Sequence, residues 1–302
     1  MVVLITGSNR SGTTWVGECL RRGLDNPCYR YEPMNMKMFD DSYRGDFPVR
    51  HHFHYITEEE KVSFIKYYDN LLRYNPYSLR KLARKSQLKG IIKYCRLEYN
   101  SFKSTDTIIK DPLALFSAEF LYQRYSAKVV VLLRNPFGYV HSIMRKGWRS
   151  NPANLLLQDE LLSDLMETQI VGELKNFVPS KDNIFEEAVL RWKVYHSVII
   201  RYMNSHRSNW HFVKHEDLVD KPLENFEDIC AYLDIDFKDK MRDFIQLSTT
   251  TNKAIDTNLT HNLVRNSKRE VSRWMAELSD DQIKYIKIEA EPYLSALYPN
   301  LN

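Results

Sequence analysis

The sequence predicts an α/β chain: a three-layer fold with a central parallel sheet of about five strands and helices on both faces. Three observations predict it. Short apolar runs alternate with helical stretches, the pattern of a parallel sheet covered on two sides. The first run, Val2 to Ile5, passes into a glycine-bearing loop that opens a helix. The strongest run, Val129 to Leu133, is strand-sized and far short of a membrane span.

The elements follow in order. The opening strand leads through Thr6 to Thr14 into a helix from Trp15 to about Leu24, which Asp25-Asn26-Pro27 breaks. Cys28 to Tyr31 forms a short second strand ending at Glu32-Pro33. Residues 34–56 are rich in Met, Asp, aromatics and His, and are expected to form a long, mobile surface loop. Thr57 is placed to cap a helix with Glu58, Glu59 and Glu60 in its first turn, and helical character continues to about Leu88. Thr107 to Lys110 is the third strand, followed by Asp111-Pro112 and an amphipathic helix through Tyr125. Lys128 to Arg134 is the fourth, after which Asn135-Pro136 opens a helix. Trp148 to Pro152 is a loop, and helices are expected around residues 155–177 and 185–204. Trp210 to Lys214 is the last strand; the next helix carries Leu223, Phe226, Ile229, Cys230 and Leu233 at a 3.6-residue rhythm. Residues 249–269 are polar, and a closing helix runs from Ser279 to about Leu297. No repeat or linker divides the chain, so residues 1–302 are read as a single domain.

Composition excludes several classes. Of 302 residues, 43% are hydrophobic and 27% charged, which rules out bulk disorder and fibres. Lys and Arg number 43 against 39 Asp and Glu, a net charge of +4. That is too little for a nucleic-acid coat, but it suits an anionic ligand where the charge is focused. Cys19, Cys28, Cys95 and Cys230 form no CxxC pair, so they read as reduced thiols rather than zinc ligands or a disulfide framework. The opening β-branched run is not an export signal.

Three segments carry chemistry. Gly7-Ser8-Asn9-Arg10-Ser11-Gly12-Thr13-Thr14 lies between a strand and a helix, where backbone N–H groups cradle phosphate or sulfate. Its spacing makes the fold P-loop-like, but Thr13 stands where the nucleotide-binding lysine belongs, and Arg10 is the available cation. Arg134 leaves the end of a buried strand and Ser142 follows on the next helix, together a clamp for a second anion. Asn262 to Trp274 concentrates four basic residues.

In this combination and order the segments resemble the sulfotransferases that use 3′-phosphoadenosine 5′-phosphosulfate. Arg10-Ser11-Gly12-Thr13-Thr14-Trp15 looks like their 5′-phosphosulfate loop, with Trp15 at the position that stacks on adenine. Arg134 and Ser142 look like the 3′-phosphate motif. Lys268 and Arg269, ahead of Trp274, look like the cofactor lid, which the resemblance places over residues 249–278. Lys110-Asp111-Pro112 and His215-Glu216-Asp217-Leu218 are further echoes; the latter is similar to the family's Tyr-Glu-Asp-Leu segment. Arg10, Glu32-Pro33 and Lys110-Asp111-Pro112 look more like the carbohydrate, tyrosylprotein and bacterial members than the cytosolic phenol and steroid members, which carry a catalytic His after the lysine.

The resemblance implies sulfuryl transfer to a hydroxyl-bearing acceptor, with a carbohydrate or glycolipid the expected one. Such a transfer has a loose anionic transition state, so positioning and charge stabilisation dominate, and no metal is demanded. Arg10, Lys110 and the Thr13 and Thr14 hydroxyls are the expected stabilisers. Glu32 is the first candidate base, ahead of His51, His52 and His54, with Asp111 third; the alternative for Glu32 is substrate binding or pairing with an arginine. Trp192, Tyr195 and Trp274 are expected to pack rather than bind. A P-loop kinase or NTPase, or a catalytically inactive nucleotide-binding scaffold, is the alternative. Asn9-Arg10-Ser11 is a glycosylation sequon inside the phosphate loop, which fits a cytoplasmic, bacterial protein better than the trimmed lumenal domain of a Golgi enzyme.

Overall fold

The computed structural model describes residues 1–36, 47–73, 105–250 and 272–301. Five strands, β1 (Val2–Gly7), β2 (Cys28–Tyr31), β3 (Thr107–Lys110), β4 (Lys128–Leu133) and β5 (His211–Lys214), pair in the order β2-β3-β1-β4-β5. All pairings are parallel. The helices among the described residues are α1 (Thr13–Gly23), α2 (Lys61–Arg73), α3 (Ala118–Tyr125), α4 (Pro136–Lys146), α5 (Asp159–Leu165), α6 (Thr168–Asn176) and α7 (Ile184–His206). After β5 come α8 (His215–Asp220), α9 (Pro222–Leu233), α10 (Asp239–Thr250), α11 (Trp274–Glu277), α12 (Asp280–Glu289) and α13 (Tyr293–Leu297).

Strand alternation builds the layers. Leu4, Ile109, Val129, Val131 and Leu133 join one core with α3, α4 and α7. Their neighbours Val3, Ile5, Ile108, Val130 and Leu132 join a second core with α1, α9 and α10. Side chains of successive strand residues point to opposite faces, so one sheet feeds two cores. The register aligns the strand ends: Tyr31 pairs with Lys110, Ile5 with Lys110, Gly7 with Leu132, and Leu133 with Lys214. The turns after all five strands therefore open on one edge of the sheet. The chain reverses direction across the sheet about β1, and ligands of open α/β folds bind at that edge beside such a reversal.

The structure departs from the sequence reading in several places. The first acidic turn lies before α2: Glu60 accepts from the Thr57 amide (3.2 Å), so Thr57 to Glu60 close a local turn and the helix starts at Lys61. Pro112–Ser117 is a fully buried 3-10 turn, because the Asp111 carboxylate caps the Leu113 amide at 2.9 Å; α3 begins only after it. Residues 152–176 form a 3-10 turn, α5 and α6 in place of one helix. Between the first two, the Gln158 side chain is spent on the Tyr55 amide (2.8 Å) and the Phe53 carbonyl (3.2 Å). The closing helix is split into α12 and α13 at Pro292, which has no amide to donate. The described part of 34–56 lies partly in the core: Met34, Phe47, Val49, Phe53, His54 and Ile56 are buried, while Met36, Arg50 and His52 stay exposed. The helix expected beyond Arg73, Cys95, and residues 251–271 of the expected lid, with Lys268 and Arg269, lie outside the described residues.

Candidate active site

The loop after β1 is shaped by two glycines. Gly7 has φ 135°, and a Cβ there would stand 2.1 Å from the Leu132 carbonyl oxygen of β4. Gly12 has φ 96°, and a Cβ there would stand 2.9 Å from His215 Nδ1. Both conformations favour glycine. Ser11 Oγ donates to the Ser8 carbonyl at 2.6 Å and tightens the turn. No side chain caps α1. Its first amides are left for an outside acceptor, with the positive end of the helix dipole behind them.

Arg10, Arg134 and Ser142 come together over this loop. Arg10 sits in the left-handed region at φ 68°. Its Nε donates to Ser142 Oγ at 3.0 Å, and its guanidinium lies 5.0 Å from the Trp148 ring centroid. Arg134 donates from Nη1 to the Arg10 carbonyl at 2.7 Å. Arg134 and Ser142 are held by the start of α4, where Asn135 Oδ1 accepts from the Gly138 amide at 2.7 Å. Asn135 is itself held by Glu216 Oε1, which accepts from its amide (3.1 Å) and its Nδ2 (2.7 Å). The result is two guanidinium groups and a hydroxyl beside an uncapped helix, an arrangement suited to an anion.

The second half of the site lies where β2 and β3 end. Lys110 is fully buried, and its Nζ stands 2.6 Å from Glu32 Oε1 and 3.5 Å from the Tyr31 ring centroid. Glu32 turns back at φ 48°, with its amide donating to the Lys110 carbonyl at 2.8 Å and its Oε2 accepting from Asn35 Nδ2 at 2.8 Å. Burial pulls the Lys110 pKa down, and the Glu32 carboxylate works against that. The Tyr31 phenol is pushed up to about 12, first by burial and then by Glu32, with the Thr14 hydroxyl acting in the opposite sense.

The other base candidates serve the fold. Both Asp111 oxygens accept backbone amides, from Met34 (2.6 Å) and Leu113 (2.9 Å), while burial raises its pKa to about 7. His54 is buried; Nδ1 accepts from the Arg50 amide (3.4 Å) and Nε2 faces Glu60 (3.0 Å), which assigns a neutral ring donating to the carboxylate. Burial keeps its pKa low. His51 stacks on His54, and His52 packs edge-on to Phe53.

Trp15 is 8% exposed, donates from Nε1 to Ser248 Oγ at 2.9 Å and meets Phe226 edge-to-face at 5.4 Å. Trp192 and Tyr195 are buried, and Trp192 Nε1 donates to the Arg134 carbonyl at 2.8 Å, so its packing also fixes the clamp. Trp274 stacks on Phe137 at 4.6 Å and anchors the last segment.

Tyr31, Trp148 and His215 also belong to the site, and local sequence gives little sign of it. Trp148 was legible only as a loop residue, since its place beside Arg10 depends on how α4 ends. His215 was noted only as an echo. Its Nδ1 is shielded from solvent without a hydrogen-bond partner beside Gly12, and burial, then Arg134 and Arg10, keep the ring neutral. Its position directly after a strand was the available signal.

Comparison with known proteins adds a family. The family described as "Sulfotransferase domain" matches residues 2–292. No curated protein matches. Among solved structures, this chain is similar to the sulfotransferase domain from the curacin biosynthetic pathway, with 15% identity over 95% of this chain and 96% of that one, and a TM-score of 0.51. It is also similar to the sulfotransferase domain of the Synechococcus PCC 7002 olefin synthase (15% identity, 96% and 94% covered, TM-score 0.49). A third is mouse sulfotransferase SULT7A1 complexed with PAP (12% identity, 99% and 85% covered, TM-score 0.49).

Proposed function

The chain belongs to the sulfotransferase family, and on that premise we propose that it moves a sulfuryl group from 3′-phosphoadenosine 5′-phosphosulfate to a hydroxyl of a glycan or glycolipid. The observation that carries the reading is the Lys110–Glu32 pair, 2.6 Å apart, at the same sheet edge as the glycine loop and the Arg10–Arg134–Ser142 cluster.

The residues fit the donor. Gly12 leaves a cradle that a Cβ would fill, and the α1 amides there have no cap. The loop from Gly7 to Thr14 with Arg10 would hold the 5′-phosphosulfate, and Arg134 with Ser142 the 3′-phosphate. Trp15 would offer adenine its remaining edge, and Lys268 and Arg269 would cover the nucleotide from a lid over 249–278. The bound donor supplies the sulfuryl group and an anionic leaving oxygen. Lys110 and Arg10 place positive charge for that oxygen, so the reaction needs no metal. Glu32 takes the proton of the acceptor hydroxyl. Its second oxygen stays fixed by Asn35, which keeps the free lone pair aimed in one direction.

Three features support a carbohydrate acceptor: the arginine in the loop, Glu32-Pro33 after β2, and Asp111-Pro112-Leu113 after Lys110, where the resemblance gives the phenol and steroid members a catalytic His shortly after the lysine. Exposed Tyr31 and Trp148 add aromatic surface of the kind that stacks on sugar rings. A cytoplasmic location is part of the proposal: Asn9, inside the sequon, accepts from the Tyr139 hydroxyl at 2.8 Å within the phosphate loop, which a glycan on Asn9 would block. No described helix is long and apolar enough to cross a membrane.

The test is transfer of ³⁵S from the labelled donor to a panel of polysaccharides, glycolipids and p-nitrophenol, with EDTA present. Label on carbohydrate acceptors, absent with Glu32→Gln, is expected. Label on the phenol alone would overturn the acceptor class, and label on none would overturn the transfer.

A further inference from the structure

Lys110 poses a problem that the Glu32 pair does not solve by itself. Its ammonium is fully buried, and burial is the largest influence on its titration. Charges facing it are Glu32 directly after β2, Asp111 directly after β3, and Glu18 on α1. Tyr29 stands against the same stretch of α1, its hydroxyl and Lys110 Cγ both within 3.0 Å of where a Gly17 Cβ would be. Among the described residues the ammonium has two polar or ring partners: the Glu32 carboxylate at 2.6 Å and the face of the Tyr31 ring at 3.5 Å.

These two partners behave differently during the reaction proposed above, on which this inference rests. The acceptor O–H bond breaks and its proton passes to the Glu32 carboxylate. The acceptor oxygen forms a bond to sulfur, the bond from sulfur to the donor's bridging oxygen breaks, and that electron pair stays on the departing phosphate. At that moment Glu32 becomes neutral and ceases to hold Lys110 charged, while the leaving oxygen needs that charge most. A ring quadrupole does not titrate.

We propose that Tyr31 is a positioning residue for sulfuryl transfer, whose ring keeps the Lys110 ammonium charged and in place while Glu32 takes up the acceptor proton. Tyr31 also stands at the rim: the residue is 37% exposed, so one side of the ring meets solvent while Lys110 lies over the ring inside. The ring, not the phenol, does this work, since the ammonium lies over the ring centroid.

The measurement is calorimetric binding of adenosine 3′,5′-bisphosphate from pH 6 to 10 by the full chain and by Tyr31→Phe, Tyr31→Leu and Tyr31→Trp. The bisphosphate carries the phosphate that Lys110 would face, so affinity falls as Lys110 deprotonates. In Tyr31→Leu this fall is expected about one pH unit lower than in the unsubstituted protein, the size of a partly desolvated cation–π contact. Tyr31→Phe should follow the unsubstituted profile, and Tyr31→Trp should shift it upward. If the leucine variant does not fold, the phenylalanine and tryptophan profiles still decide the matter. With the labelled donor, kcat should fall about tenfold or more in Tyr31→Leu and be restored by phenylalanine. Identical pH profiles in all folded variants would overturn the role of Tyr31 and leave sulfuryl transfer standing. Failure of the unsubstituted protein to bind the bisphosphate would overturn the sulfotransfer reading, and this inference with it.

Discussion

Arg10 and Glu32 share an unusual backbone: both are non-glycine residues in the left-handed region, at φ 68° and 48°. Each such residue costs on the order of 1 kcal/mol or more, and such strain concentrates where side chains must be aimed. Glu32 is aimed at Lys110 and Arg10 at Ser142. Replacing Glu32 with Gln is expected to lower kcat by about 10²–10³ and, at neutral pH, to leave bisphosphate affinity within about threefold, because a general base acts on turnover while the Tyr31 ring still holds Lys110 charged. Steady-state kinetics beside calorimetry check this. Asp111 gives a pH prediction. Its folded pKa of about 7 lies above the ordinary carboxylate value, so its contribution to stability is full at acid pH and is lost as pH rises through 7. Asp111→Asn cannot ionise. The stability advantage of the unsubstituted protein over this variant should therefore shrink between pH 5 and pH 8 in urea titrations; an advantage that grows over that range would contradict the assignment. The carboxylates at 32 and 111 look alike in the sequence. Their roles part only because Asp111 receives two backbone amides, while Glu32 faces a lysine and an asparagine.

Elements differed in how far local sequence decided them. Thr107–Lys110 and Cys28–Tyr31 were readable because short β-branched or apolar runs between polar turns have few other uses, and both strands have the expected bounds. The start of α4 was readable because Asn135-Pro136 combines a cap with a preformed first-turn φ. Residues 152–176 were not, because what divides them is distant: Gln158 bonds to residues 53 and 55. The turn carrying Trp148 depends likewise on α7. There, buried Glu187 accepts from the Ser150 amide (2.7 Å) and pairs with Arg149 (3.0 Å) and Arg191 (3.3 Å), while Arg191 donates to the Trp148 carbonyl (3.0 Å). Glu187→Ala removes the shared acceptor and strands the buried Arg191, which should cost about 3 kcal/mol of stability. Because this turn sets Trp148 beside Arg10, bisphosphate affinity in the folded variant should also fall. Urea titration and calorimetry on the same preparation would show both effects, and loss of stability with unchanged affinity would separate the turn from the site.

At the scale of the whole molecule, the sheet does the gathering. Segments as distant as residues 7–14, 31–32, 110–111, 134–142 and 215–216 meet because parallel pairing sets their strand ends on one edge. That edge was legible from the alternation of strands and helices; the partners of each side chain along it were not, since no local pattern records which strand lies beside which. A net charge of only +4 becomes effective there because Arg10, Arg134 and Lys110 converge on it. The thirteenth residue separates this site from a nucleotide-triphosphate loop, with Thr13 where such loops carry lysine. The most direct test is calorimetric titration with adenosine 3′,5′-bisphosphate beside ATP with magnesium. Tight, metal-independent binding of the bisphosphate is expected, weakened about tenfold or more by Arg134→Ala. Preference for ATP with magnesium, or bisphosphate binding indifferent to Arg134, would contradict it.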